Sequence, residues 1–135
     1  MNFKSSLDFL PINYRHEKSF LVQNNIFNFV SLSELTDSEI NEIQKNNPLC
    51  TLNNLRKIRA IAIFIKEIAI SPQEAYLLLH CGVGTVKSLA RLTPYELEQK
   101  IARLERNLRV KTEIKITLSV LKIWIKRANQ ICKSI

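Results

Sequence analysis

Residues 12–43 and 69–100 of this chain repeat one another without a gap at an offset of 57 residues. INYRHEKSFLVQNNIFNFVSLSELTDSEINEI lies over AISPQEAYLLLHCGVGTVKSLARLTPYELEQK, with identities at Glu17/Glu74, Leu21/Leu78, Ser31/Ser88, Leu32/Leu89, Leu35/Leu92, Thr36/Thr93 and Glu39/Glu96. Self-similarity at a fixed offset means one structural unit used twice. The fold must therefore contain two similar halves, and their punctuation says what each half is.

That punctuation is helical. Ser71-Pro72-Gln73-Glu74 places an N-cap serine before a first-turn proline, with a glutamate three residues after the cap; Thr93-Pro94-Tyr95-Glu96 repeats this grammar, and Thr36-Asp37-Ser38-Glu39 is a third capping box. The pattern predicts helices near 14–24, 28–34 and 37–46 in the first copy, and near 72–80, 85–91 and 94–107 in the second. Between the copies, residues 51–69 are apolar at Leu55, Ile58, Ala62, Ile65 and Ile68, the spacing of a long central helix. Two glycines and four prolines in 135 residues leave little material for the tight turns that sheets need. The expected fold class is all-α.

The last segment reads two ways at first. VKTEIKITL (110–118) alternates as a strand would, but Ile114, Leu118, Leu121, Ile125, Ala128, Cys132 and Ile135 step by four and three. Ile116, Val120, Ile123 and Trp124 widen that apolar face, while Lys111, Lys115, Lys122, Lys126 and Lys133 fall on one narrow strip. The expectation is a helix starting within 110–117 and packed on two sides. Four segments follow: a first unit at 1–48, a connecting helix at 49–70, a second unit at 71–108 and a closing helix at 109–135, in one compact domain. The expected core is Leu21, Ile26, Phe29, Leu32, Leu35 and Ile40 with Leu78, Val83, Val86, Leu89, Leu92 and Leu97.

Charge is unevenly placed. Of the net +8, residues 1–48 contribute −2, residues 49–71 contribute +3 and residues 72–135 contribute +7. A surplus of this kind argues for an acidic partner. The longest apolar run, AIAIFI at 60–65, lies between Arg59 and Lys66, far short of the ~20 residues a bilayer requires. No membrane span is expected, and MNFKSSLDFL lacks the pattern of a signal peptide. Cys50, Cys81 and Cys132 are odd in number and widely spaced, which speaks against a disulfide framework or a zinc site and for a reducing, cytoplasmic setting. His16 and His80 have no carboxylate or cysteine at ligand spacing, and both read as ordinary partly buried histidines. His80 adjoins Cys81, but neighbouring helical residues point about 100° apart and do not form a nucleophile–base pair. Glu17, Glu39, Glu74 and Glu96 recur as helix-start residues. No catalytic residue, metal site or cofactor is expected, and the chain reads as a non-enzyme.

With AISPQEAYLLLHCGVGTVKSLARLTPYELEQKI as the carrying stretch and WIKRA (124–128) beside it, the chain resembles tandem helix-hairpin-helix, SAM-like domains. It is most similar to a family of uncharacterised, often cyanobacterial, proteins with two such units, over roughly residues 8–132. The resemblance implies an all-α fold of two helix-hairpin-helix units and points toward nucleic-acid binding, with no established activity. In DNA-binding units of this type, a Gly-hydrophobic-Gly turn sets backbone N–H groups against a phosphate. The corresponding positions here are Ala69-Ile70-Ser71, and Pro11-Ile12-Asn13 in the first copy, all without glycine. Glu74 also puts a carboxylate where the phosphate would dock. Gly82 and Gly84 fall instead at the joint after that helix, as a structural turn, Gly82 being the helix C-cap.

Two functions are therefore expected as alternatives. The first is nucleic-acid binding through sequence-independent phosphate contacts from Arg103, Arg106, Arg109, Lys115, Lys122 and Lys126. The second is protein interaction or homo-oligomerisation along the C-terminal helix, with Trp124 as a candidate anchor.

Overall fold

The computed structural model describes residues 7, 10, 14–108 and 116–133. Among them are eight helices: α1 (Arg15–Gln23), α2 (Phe29–Ser33), α3 (Asp37–Asn46), α4 (Leu52–Ile68), α5 (Pro72–His80), α6 (Val86–Ala90), α7 (Pro94–Leu108) and α8 (Leu118–Lys133). The described chain is all-helical, with no strand.

The repeat holds at the level of single hydrogen bonds. Both α1 and α5 end in a left-handed residue 57 apart, Asn25 (φ 65°) and Gly82 (φ 88°). In each copy the next amide reaches back five residues, Ile26 N–H to the Leu21 carbonyl (2.9 Å) and Val83 N–H to the Leu78 carbonyl (3.0 Å). These bonds satisfy carbonyls that a helix end leaves orphaned. The short helices α2 and α6 start at equivalent caps, the Asn28 side chain accepting from Ser31 N–H and Thr85 Oγ1 from Ser88 N–H. Helices α3 and α7 open with reciprocal capping boxes, Thr36 with Glu39 and Thr93 with Glu96, at 3.1–3.2 Å.

Glycine is required at only one of its two positions. Gly82 lies at positive φ, where a Cβ is strained; Gly84 does not, and a Cβ there would meet nothing within 4 Å. Gly82→Ala is expected to cost about 1–2 kcal/mol, and Gly84→Ala to stay within about 0.5 kcal/mol of the wild type. Gly82→Asn should cost less than Gly82→Ala, because the first copy uses Asn25 at the equivalent place. Urea unfolding of the three variants checks the order.

Packing extends the repeat beyond its sequence bounds. Helix α2 packs on α4, and α6 packs on α8 in the same way. Each short helix has its own long one, so α4 and α8 are counterparts. Their offset is 66 residues: Leu52/Leu118, Leu55/Leu121, Ile58/Trp124 and Ala62/Ala128 correspond, and the last three pairs are all buried. Each of these helices also starts from a threonine cap, Thr51 Oγ1 accepting from Asn54 N–H and Thr117 Oγ1 from Val120 N–H. Of the nine additional residues of offset, five lengthen α7 relative to α3 and four fall between α7 and α8.

Buried side chains form one hydrophobic cluster reaching from Leu7 and Tyr14 through both copies to Ala128, with α4 packed against both α5 and α8. Of the expected core, Leu21, Phe29, Leu32, Ile40, Leu78, Val83, Leu89 and Leu97 are buried. Ile26, Leu35, Val86 and Leu92 are only partly buried and pack against it. The closing helix departs from expectation in two respects. It begins at Leu118, after its threonine cap, and it packs on one side: Leu118 and Ile123 remain 39% and 46% exposed.

Candidate functional site

Helix α8, LSVLKIWIKRANQICK, contains four cations and no carboxylate. Leu121, Trp124, Ile125 and Ala128 are buried, which fixes the helix's rotation about its axis. Lys122, Lys126 and Lys133 then lie exposed on the opposite side, within about 40° of one another and along roughly 16 Å of helix. The fourth cation, Arg127, is not part of that strip. Its guanidinium donates to the Ile68 carbonyl at 2.8 Å, capping the C-terminal end of α4. A cation there meets the negative end of the helix dipole.

At the 66-residue offset the strip lysines Lys122, Lys126 and Lys133 correspond to Arg56, Ala60 and Glu67 of α4. On α4, residues Ala60, Ile63 and Phe64 lie beside the start of α6, and a cavity of about 250 Å³ opens between them. At the 66-residue offset the same positions of α8 are Lys126, Asn129 and Gln130.

Other expected site residues are distributed differently. Arg103 and Arg106 are exposed on α7. The side of α7 turned toward α8 carries Glu98 and Glu105, which with Ile101, Ala102, Ile116 and Leu121 line a 130 Å³ groove. By helical geometry Arg103 and Arg106 lie about 100° or more from the middle of that groove-lining face. Lys122 and Lys126 therefore share a face, whereas the α7 arginines occupy another side of their own helix. Arg109 and Lys115 lie outside the described residues.

The joint between α4 and α5 spans Ala69, Ile70 and Ser71. Ala69 is left-handed (φ 60°, ψ 47°), a conformation glycine adopts without strain, and Ile70 is buried. Its anion-binding potential is already used internally: Ser71 N–H donates to Glu74 Oε1 at 2.8 Å, and Glu74 N–H to Ser71 Oγ at 3.2 Å. Pro11-Ile12-Asn13 lies outside the described residues. Glu17 matches Glu74 in sequence but not in environment. It is 1% exposed and accepts from the Asn54 side chain of α4 at 3.1 Å, a tertiary contact that the repeat does not predict.

Nucleophiles and metal ligands are sparse. Burial pushes the Cys81 thiol up to about 11 against the pull of Lys100, so it stays protonated at neutral pH. Burial, then Glu17, raises Cys50 as well. His80 is more exposed than expected, but its ring sits edge-on to Tyr76 at 4.1 Å; the desolvation on that side, then Lys57, lowers its pKa. Among the described residues no three His, Cys, Asp or Glu side chains cluster as a metal site would need. Nor is any helix there long and apolar enough to cross a membrane. The ion pairs Arg59–Asp37 (2.7 Å) and Lys66–Glu34 (3.6 Å) tie α4 to the first unit. The hydrogen bond and charge of Arg59 hold the Asp37 carboxyl below its usual value.

Residues 11–131 match the domain of unknown function DUF4332, and the chain belongs to that family. No curated protein and no solved structure matches it.

Proposed function

We propose that this DUF4332 chain is a non-enzymatic nucleic-acid-binding module of tandem helix-hairpin-helix type, contacting phosphates without regard to base sequence. One observation carries the reading: Lys122, Lys126 and Lys133 form an exposed strip on a helix without a carboxylate. Clustered cations on a rigid element are what backbone phosphates require, since the favourable term is release of condensed counterions. Arg103 and Arg106 supplement this strip from α7; their neighbours Glu98 and Glu105 reduce what they add. The Gly82–Gly84 turn has a structural role, and the hairpin at Ala69 has its own carboxylate in the anion's place.

The alternative, protein interaction along α8, relies on Trp124 as an anchor. Trp124 is 3% exposed and belongs to the domain's own core, which favours the phosphate reading.

Binding to a short duplex, followed by fluorescence anisotropy across a salt series, tests the proposal. Wild-type affinity should fall steeply with salt, about 0.9 in the log–log slope for each phosphate contacted. Reversing Lys122 and Lys126 to Glu should flatten that slope by roughly 1.8 and weaken binding to unrelated sequences equally. Gly84→Ala should bind as the wild type does. Absence of salt-sensitive binding in the wild type, or unchanged binding after the reversals, would sink the reading.

A further inference from the structure

The lysine strip of α8 has an uncharged neighbour of the same shape. Lys122, Lys126 and Lys133 follow one another by four and then seven residues; Ser119, Ile123 and Gln130 do the same, three residues earlier. On a helix that displacement is about 60° round the axis and about 4.5 Å along it, so the two rows run side by side. All six residues are exposed, with Leu121, Trp124, Ile125 and Ala128 buried on the other side of the helix. Each row is roughly 16 Å long and covers an arc of about 40°.

Ile123 stands at the middle of the uncharged row and is 46% exposed. Packing does not call for an aliphatic side chain there, because the counterpart position in α4 is Lys57, which is exposed as well. With a hydroxyl before it and an amide after it, Ile123 gives this row apolar contact and hydrogen bonding without charge. The lysine row beside it is narrow. A helix lying in a B-form major groove, about 12 Å wide, has a phosphate backbone on each flank. The flanks of the lysine row carry no cation: one is the uncharged row, and the other is Leu118, 39% exposed. Arg127, the next cation round the helix, is held on the Ile68 carbonyl. The lysine row is therefore built to follow one backbone.

We propose that α8 takes single-stranded nucleic acid in preference to duplex, with the lysine row on the phosphates and Ile123 against the face of a base. A single strand presents those two edges together, phosphates along one and unstacked bases along the other. In a duplex the base faces are stacked inside, and the uncharged row meets only sugar edges and water. Every base has a face, so the contact stays independent of sequence. The inference rests on the nucleic-acid reading above and specifies which form of nucleic acid that surface takes.

The test uses the full chain and one short DNA sequence, presented as an unpaired strand and as its duplex, by fluorescence anisotropy across a salt series. The wild type should bind the single strand roughly tenfold tighter. Its salt dependence there should nonetheless be shallower, since each phosphate contact contributes about 0.7 on a single strand and about 0.9 on a duplex. Ile123→Ser should remove most of the preference and leave duplex binding unchanged. Ile123→Trp should raise single-strand affinity about fivefold or more by stacking, again without moving the duplex. The two variants are independent readouts at an exposed position, and circular dichroism checks that each is folded. Lys122→Glu with Lys126→Glu should weaken both forms. Duplex bound as tightly as the single strand, or Ile123 variants that move both forms alike or neither, would overturn the preference and leave the nucleic-acid reading standing. A wild type with no salt-sensitive binding to either form would end that reading, and this inference with it.

Discussion

Replacing Trp124 by alanine is expected to cost about 3–5 kcal/mol of folding stability, the largest effect of any single truncation in α8. The side chain is 3% exposed, is flanked by buried Leu121, Ile125 and Ala128, and occupies the place that Ile58 holds in α4. Its loss removes both the transfer free energy of a large aromatic and the contacts that hold α8 on the rest of the core. The cavity left behind cannot collapse readily, because α6 and α4 both pack against α8. Against a typical total of about 5–15 kcal/mol, such a loss brings the chain close to unfolding. Urea denaturation followed by circular dichroism should show a lower midpoint with an unchanged slope. A variant of undiminished stability would place Trp124 at the surface and restore its standing as an anchor for a partner.

Leu89→Ala should cost about 2–5 kcal/mol, and Leu32→Ala a value in the same range. The two leucines are repeat equivalents, both 0% exposed, each the fourth residue of a five-residue helix. Helices that short have no stability of their own, so their place in the fold depends on their buried side chains, Leu32 with Phe29 in α2 and Leu89 in α6. Since both residues belong to a single buried cluster, each variant should unfold in one transition, with no separate melting of one unit. A loss below about 0.5 kcal/mol for Leu89→Ala would mean that α6 does not hold the core position described.

The elements themselves were legible without the fold because the signals that start and stop them are local. A capping box closes within four residues, so Thr36–Glu39, Ser71–Glu74 and Thr93–Glu96 could be read from the chain alone. The same is true of the left-handed Gly82, which ends α5 by a bond spanning five residues. The repeat added the pairing of Leu21 with Leu78 and Leu32 with Leu89, because burial at equivalent positions constrains both copies to the same residue type.

Relations across distance were not legible. Nine additional residues before α8 displace it from the 57-residue register, so its identity as the counterpart of α4 emerges only where α2 and α6 each meet their long helix. With that relation comes the comparison of Ala60, Ile63 and Phe64 in α4, which lie beside the start of α6, with Lys126, Asn129 and Gln130 in α8. Sequence periodicity identified the lysine strip, but grouped with it the arginines of α7, whose orientation relative to α8 depends on how two helices pack. It also left Arg127 as one cation among several, although Arg127 closes the end of a helix 59 residues away. Glu17 and Glu74 make the point most directly. Both are the third residue of their helix, yet Glu74 completes a capping box with Ser71, whereas Glu17, behind Tyr14, is buried against Asn54. Local chemistry sets where helices begin and end; which of two identical side chains is left to cap its own helix, and which is taken up by a neighbour, is decided by what packs beside it.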